Sequence, residues 1–456
     1  MHPLRLPPIT PRRQRGAVAI MAALGMLVLL ALVGLVIDGG LAYLVRARLD
    51  AAVDSAALAG ARAVPNGDTP AQQIASAQAA AADFFAANMP SNYMLSQPQL
   101  QSTNVTFNGG MAIVDVRAQA PMPLSLMRVL GFTSLIPTSY AQTIRQDLDM
   151  AFVVDTSGSL SSSGPAVRTA AKTFLNQFNV TQDRVAMIHF ASGAEVDNAI
   201  ATSARGFNRT SMLQNVANFD FSGGTASVEG MWWARKQLNA IPTANRSTQR
   251  VIVFFSDGEP TSIGSFLTFN NPLDCWTTAG SFDYNGNGLY RLDISEATPI
   301  SSKCTLAATI ANSAKKLPDW YNAHNSYLYP NDPSQREFPI VTNTPRVVTN
   351  DLSNDTIAKR NIDRAARNLA EAVAAKARDE GIVVFTLGLG ASLRQPAGVD
   401  NEIGEDVLKC MANVADGPGR CYNPAKPVGM YCFAATTADL TPCFSKLASA
   451  ILRISK

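Results

Sequence analysis

Five oxygen-bearing side chains, drawn from three separated segments, are the residues of this chain best suited to chemistry. Asp155-Thr156-Ser157-Gly158-Ser159 reads D-x-S-x-S, one carboxylate and two hydroxyls at alternate positions. Thr225 closes the run Ser222-Gly223-Gly224-Thr225, 70 residues after Asp155, and Asp257 stands before Gly258, 102 residues after it. Alternate side chains of one segment can converge on one point. The donors are all oxygens, which suits a hard divalent cation, Mg²⁺ foremost, with Ca²⁺ or Mn²⁺ as alternatives. D-x-S-x-S alone fits an ordinary polar turn. The weight lies on three segments in a fixed order, each at the end of a strand or the start of a helix.

Such segments need elements that bring them together. Residues 151–155 (AFVVD) read as a buried strand delivering Asp155 at its carboxyl end, and 251–257 (VIVFFSD) as a central apolar strand delivering Asp257. Open α/β sheets gather ligands at that edge. Residues 185–191 (VAMIHFA) and 382–390 (IVVFTLGLG) read as further strands. Pro165 suits a first helical turn, and Val167, Ala170, Ala171, Phe174 and Phe178 then share one apolar face. A helix is expected over 357–380, capped by Ser353, Asn354 or Asp355 and stopped by Gly381, and a last one over 440–454. Strands alternating with amphipathic helices predict an α/β fold: a doubly wound, mainly parallel sheet flanked by helices.

The amino-terminal third reads differently. Residues 16–37 form an uncharged apolar run of 22 residues. As a helix it rises roughly 33 Å, enough to cross the hydrocarbon core of a bilayer. Arg12, Arg13 and Arg15 precede the run and Asp38 follows it. The positive-inside rule then puts the amino terminus in the cytoplasm and the rest outside, although Arg46 and Arg48 dilute the asymmetry. The run is longer than a signal-peptide core and an alanine-rich helix continues beyond it, which favours an uncleaved anchor. The expected organisation is a basic tail (1–15), a transmembrane helix (16–38) and a stalk (39–146), helical first and β-rich later. In the stalk one helix covers 41–62, with Gly39-Gly40 as a bend and Pro65-Asn66-Gly67 as its end, and a second covers 70–88. Their small-residue faces suit close packing, within the chain or on a partner helix. Asn108-Gly109, between Phe107 and Ile113, marks a hairpin.

Between 261 and 354 the strand–helix rhythm breaks. A structureless loop of that length is uncommon in a compact domain, so an insertion with order of its own is expected. It includes a short helix over 305–316, and its aromatics, such as Phe282, Tyr290, Trp320 and Tyr321, read as a private core, with a partner-reading surface as the alternative. Asp283, Asn285, Asn287 and Gly288 match the first half of a calcium loop, but Ile294 stands where its last acidic ligand belongs, which favours an Asn/Gly turn. Six cysteines, Cys275, Cys304, Cys410, Cys421, Cys432 and Cys443, show no C-x-x-C spacing, and the chain has three histidines. A zinc site is therefore not expected. An even count in an exported segment reads as disulfides of open pairing, with Cys275 and Cys304 as a staple for the insertion. His189, within a strand, reads as a core histidine, and Trp232 and Trp233 as packing residues on the helix after Thr225. A net charge of +3 without a basic stripe gives no support to nucleic-acid binding. The chain lacks a nucleophile elbow, a P-loop and a nucleotide fingerprint, and is not expected to be an enzyme.

The D-x-S-x-S strand end, Thr225 and Asp257 together resemble the von Willebrand factor A family and its metal-ion-dependent adhesion site. The resemblance covers 147–456, interrupted at 261–354. It implies that Asp155, Ser157, Ser159, Thr225 and Asp257 ligate a divalent metal, leaving a place for an acidic residue of a protein ligand. Arg15-Gly16-Ala17-Val18-Ala19, the apolar run, Asp38 and 51–62 (AAVDSAALAGAR) resemble TadG-type proteins of tight-adherence (Flp) pilus assembly. Type IV pilins carry glutamate at the fifth position after their cleavage glycine. Met21 stands there after Gly16, which argues for an accessory or anchoring role and against a major pilin. Together the resemblances imply a metal-dependent adhesion component partnered with other pilus-assembly or envelope proteins. Its expected place is the bacterial inner membrane, crossed once, with the carboxy-terminal domain periplasmic or extracellular. The alternative is a structural scaffold of an envelope secretion complex, with the metal used for stability only.

Overall fold

The structure, a computed structural model, describes residues 15–66, 69–108, 111–145, 147–269, 278–283, 289–296, 298–301, 314, 316–324 and 336–454. The chain folds as two compact units, one drawn mainly from the first 143 residues and the other mainly from 144 onward.

The first unit is built on helix α1 (Arg15–Ala63), 49 residues long. Alanine and leucine supply its propensity. It runs unbroken through Gly39 and Gly40, and Pro65 falls in a 3-10 turn that ends it. Val18 to Ile37 present their apolar side chains outward, and this helix is long and apolar enough to cross a membrane. From Gly34 onward one stripe is covered: Gly34, Asp38, Ala42, Val45, Leu49 and Val53, at helical spacing. Helix α2 (Pro70–Asn88) buries Ala77, Ala81 and Phe85. A Cβ on Gly60 would stand 3.2 Å from the Ala77 carbonyl oxygen, so the small-residue faces serve packing within the chain. Strands β1 (Gln99–Asn108) and β2 (Met111–Gln119) follow as neighbours, as the hairpin expectation requires, although Gly109 lies outside the described residues. Short β3 (Met122–Pro123) pairs antiparallel with β4 (Ser134–Leu135), and β5 (Thr138–Arg145) completes a sheet of order β1-β2-β5.

The second unit begins with β6 (Leu148–Asp155), buried along its whole length. Then come α3 (Gly164–Leu175), β7 (Arg184–Phe190), β8 (Ala194–Asn198), α4 (Arg209–Asn218), α5 (Ser227–Ala240) and β9 (Gln249–Ser256). The later elements are β10 (Ser262–Leu267), β11 (Thr278–Asp283), β12 (Leu289–Tyr290), β13 (Pro299–Ser301), α6 (Asp355–Asp379) and β14 (Val383–Leu389). A β15 (Pro396–Ala397)–β16 (Glu402–Ile403) pair, α7 (Gly404–Ala412), β17 (Tyr431–Ala434) and α8 (Leu440–Ile454) close the chain. The main sheet has the order β17-β14-β9-β6-β7-β8. Its pairings are parallel except for the edge strand β8. This is the doubly wound, mainly parallel α/β architecture.

Alternation along each strand divides the core. Ala151 and Val153 of β6 face one cluster with α5 and α6, while Met150, Phe152 and Val154 face another with α3 and α8. Helix α3 stops at Leu175, short of the expected apolar face. Phe178 lies beyond it yet packs on Phe174 with ring centroids 4.9 Å apart. Asn354 is the cap chosen for α6, its side chain accepting from Ile357 N–H, and Gly381 follows at φ +76°.

The insertion departs from expectation. Its strands form a second sheet, β10-β11-β12-β13. Phe282, Leu289, Tyr321 and Phe338 join the core cluster of the main sheet, so these residues do not make a private core. The expected 305–316 helix lies largely outside the described residues, and Lys316 at its end bridges to Asp351 instead. Residues 284–288 of the calcium-like loop, Cys275 and Cys304 also lie outside them, as do Arg12 and Arg13. The other four cysteines pair as Cys410–Cys421 and Cys432–Cys443. At the amino end of the sheet, Arg184 Nε lies 3.1 Å from Asp149, Arg205 Nε 2.6 Å from Asp147, and Arg145 Nη2 2.5 Å from Asp183.

Candidate metal centre

Strands β6 and β9 are neighbours in the sheet, yet the chain leaves them toward different sides. Their carboxyl ends therefore flank the point where the winding reverses, the place where open α/β sheets bind ligands. Parallel register sets Val154 beside Phe255, so Asp155 and Asp257 emerge together. Asp155 is fully buried. Its Oδ1 accepts the Ser157 N–H at 2.8 Å, and its Oδ2 accepts the Ser256 hydroxyl. The Ser157 and Ser159 hydroxyls lie 3.1 Å apart, and Ser159 Oγ donates to Asp257 Oδ1 at 2.8 Å. Ser157 is buried, Ser159 is exposed and Asp257 is half-buried.

The loop before α5 is stitched to this cluster through its backbone. Ser222 N–H donates to the Thr156 carbonyl at 3.0 Å, and Gly158 N–H to the Gly223 carbonyl at 3.1 Å. Gly223 has φ +89°, a conformation that favours glycine. Thr225 N–H donates to Thr261 Oγ1, while the Thr225 carbonyl accepts from Thr261 and Ser262. A Cβ on Gly258 would stand 3.8 Å from Thr225 Oγ1. Asp155, Ser157, Ser159 and Asp257 are thus joined by hydrogen bonds, and Thr225 Oγ1 lies beside Gly258, the neighbour of Asp257.

The electrostatics of this place are one-sided. Burial raises the Asp155 pKa, and the nearby Asp257 charge raises it further. Burial also raises Asp257, against the hydroxyl donated by Ser159. Among the described residues neither carboxylate has an ion-pair partner. Two carboxylates and three hydroxyls without a nearby cation are a donor set that fits a hard divalent ion, since buried charge is costly until compensated. A second group, Glu371 with Cys410 and Cys421, does not fit a metal, because both sulfurs are held in one disulfide.

Some residues of the site were not singled out from sequence. Ser256 orients Asp155 and also accepts from Gly258 N–H at 3.2 Å, and Ser192 Oγ accepts from Gly224 N–H at 2.9 Å. Ser256 was visible as the polar residue ending an apolar strand, and Ser192 carried no signal. Glu229, in the first turn of α5, is fully buried. It accepts from Tyr321 Oη at 2.8 Å and Gly264 N–H at 3.1 Å, and lies 2.6 Å from His324 Nε2. This ties the insertion to the helix that follows Thr225. Burial first, and the Glu229 charge second, raise the Tyr321 hydroxyl well above its usual pKa. Trp232 stacks on His324 with centroids 3.8 Å apart, and both tryptophans pack on the core. His189 is buried with Nδ1 2.7 Å from Asp197, a satisfied core histidine.

Comparison with known families decides the architecture's name. Residues 149–275 match the family model for the von Willebrand factor type A domain. Residues 16–63 match the family described as putative Flp pilus-assembly TadE/G-like. The chain carries a von Willebrand factor type A domain preceded by a TadE/G-like segment. The match ends at 275, before β14 and β17 complete the main sheet. Comparison with curated proteins found no match. Among solved structures, the pilus adhesin SpaC from Lactobacillus rhamnosus GG is 16% identical, with a TM-score of 0.38 over 78% of this chain. This chain spans 34% of the length of that adhesin. The PilB minor pilin from Streptococcus sanguinis is 14% identical, with a TM-score of 0.37 and 79% of each chain covered. The vWF domain of the type V pili tip protein Mfa5 from Porphyromonas gingivalis is 14% identical, with a TM-score of 0.37, 69% of this chain and 98% of that one covered.

Proposed function

We propose that the chain is a membrane-anchored, metal-dependent protein-binding component of Flp-type pilus assembly, taking its partner at the carboxyl edge of the A domain. The observation that carries this reading is the pair Asp155 and Asp257, two acids without a counter-charge among the described residues, linked through Ser157 and Ser159. Asp155, Ser157, Ser159, Thr225 and Asp257 hold the cation, Mg²⁺ foremost. A bound divalent cation would match the charge of the two carboxylates and, preferring six oxygens to the five offered here, would keep a coordination place open to a carboxylate of the partner protein. The chain's own groups keep the donors in place: Ser157 N–H and Ser256 hold Asp155, and Ser159 holds Asp257. The domain acts in this reading as a binding module and not as an enzyme.

The TadE/G-like match supports the pilus setting, and the exposed apolar face of α1 supports a single membrane pass. Arg12, Arg13 and Arg15 favour a cytoplasmic tail over 1–15, a transmembrane helix over 16–38, a stalk over 39–146 and the A domain over 147–456, outside the inner membrane. The test is capture of pilus subunits and envelope proteins by the full chain in detergent, with Mg²⁺, with EDTA and as Asp155→Ala. Loss of capture in the latter two is the expected result. Capture that persists in both, while Mg²⁺ still raises thermal stability, would replace the adhesion reading with the structural scaffold.

A further inference from the structure

The first unit has an apolar surface that neither its core nor the candidate metal centre uses. Between β3 and β4 the chain makes a 3-10 turn, Met127–Leu130. Residues 125–136 (SLMRVLGFTSLI) contain one charge, Arg128. Phe132 and Val129 are each 57% exposed, Ile136 54% and Leu130 46%. A contiguous apolar tip in water is a liability, and its usual meaning is an interaction surface.

The position of this hairpin on α1 identifies the partner. Asp38, 2% exposed, accepts the N–H groups of Ser125 at 3.2 Å, Leu126 at 3.0 Å and Met127 at 2.8 Å. A Cβ on Gly34 would stand 3.0 Å from Leu126 Cβ, so the turn lies directly on the helix there. Gly34 is three residues before Ile37, the last residue of the apolar run, or about 4.5 Å inside its end. A run that rises about 33 Å slightly exceeds a hydrocarbon core of about 30 Å. A bilayer that covers the run therefore reaches the level of the hairpin.

The geometry points to a second membrane contact: the 125–136 hairpin enters the bilayer interface beside α1, with Phe132, Val129, Leu130 and Ile136 among the acyl chains and Arg128 at the headgroups. Asp38 clamps hairpin and helix so that they enter as one body. Its charge is satisfied at that depth by three backbone N–H groups, as a carboxylate near hydrocarbon requires. The inference rests on the reading of α1 as an anchor but not on which side of the membrane the hairpin faces.

The experiment places one added tryptophan in the full chain, reconstituted into phosphatidylcholine vesicles with or without brominated acyl chains. Val28→Trp reports the anchor, Phe132→Trp the hairpin, and Tyr140→Trp an exposed position on β5 beside Asp115 and Gln142. All three sites are exposed, and the signal is read above that of the native tryptophans. The expected result is roughly twofold quenching at 28 and 132 and little at 140. Quenching at 28 without quenching at 132 would overturn the hairpin contact while leaving the anchor intact. Equal quenching at 132 and 140 would also overturn it, because contact would not be confined to the hairpin. No quenching at 28 would remove the anchor, and the inference with it.

Discussion

The two ends of the central sheet treat buried acids in opposite ways. At the amino end, Asp147, Asp149 and Asp183 meet Arg205, Arg184 and Arg145. At the carboxyl end, Asp155 and Asp257 meet hydroxyls and a backbone N–H, and among the described residues no cation. Burial alone does not separate the two ends, since it still pushes Asp147 up to about 7 against the pull of Arg205. The counter-charge separates them. Acids matched within the chain serve the fold, whereas the acids left unmatched at a ligand-binding edge are those that the proposed function assigns to an external cation.

That contrast can be broken from either end. The largest effect belongs to the matched end. Asp149→Ala strands the buried Arg184 and is expected to lower unfolding free energy by about 3–5 kcal/mol in a denaturant titration. A loss below about 1 kcal/mol would show that those ion pairs do not hold the sheet. Next comes ligand linkage at the unmatched end: Mg²⁺ at about a hundredfold its Kd should stabilise the wild type by about 2.7 kcal/mol and Asp155→Asn by far less, read as thermal shifts.

The metal-free protein should show the reverse preference. Both carboxyl pKa values are raised above their unfolded values. Stability is then fullest below about pH 4 on this account and falls as pH rises through the folded pKa values, so the Mg²⁺ shift should grow between about pH 5 and pH 8. Asp155→Asn, lacking that ionisation, should be more stable than the metal-free wild type at about pH 8 by on the order of 1–2 kcal/mol. A Mg²⁺ shift that is flat across this range would mean that the two acids do not carry the binding. The smallest effect is that of exposed Ser159. Ser159→Ala should change metal-free stability by no more than about 0.5 kcal/mol while weakening Mg²⁺ binding measurably by calorimetry.

Much of the framework was legible from local pattern. AFVVD, VAMIHFA, VIVFFSD and IVVFTLGLG mark β6, β7, β9 and β14 because strands buried on both faces are apolar throughout. Helices α2 and α8 occupy the spans that helical periodicity indicated. Short β8 and β17, and α7, escaped notice because four to nine residues are too few to display a period. The insertion's aromatics were visible as residues but not as members of the main core, since that depends on Glu229 reaching Tyr321 and His324 across more than 90 positions.

By itself the sequence determined the long elements of the main sheet, the apolar helix and five candidate oxygen donors, because periodicity, composition and residue chemistry are local properties. The tertiary structure decided which donors meet, that Ser256 orients Asp155, and that Cys410 takes Cys421 while Cys432 takes Cys443. It also decided that Asp38 grips a turn nearly ninety residues away. These are long-range proximities, set by strand order and by the return paths of loops, and no short window of residues contains them.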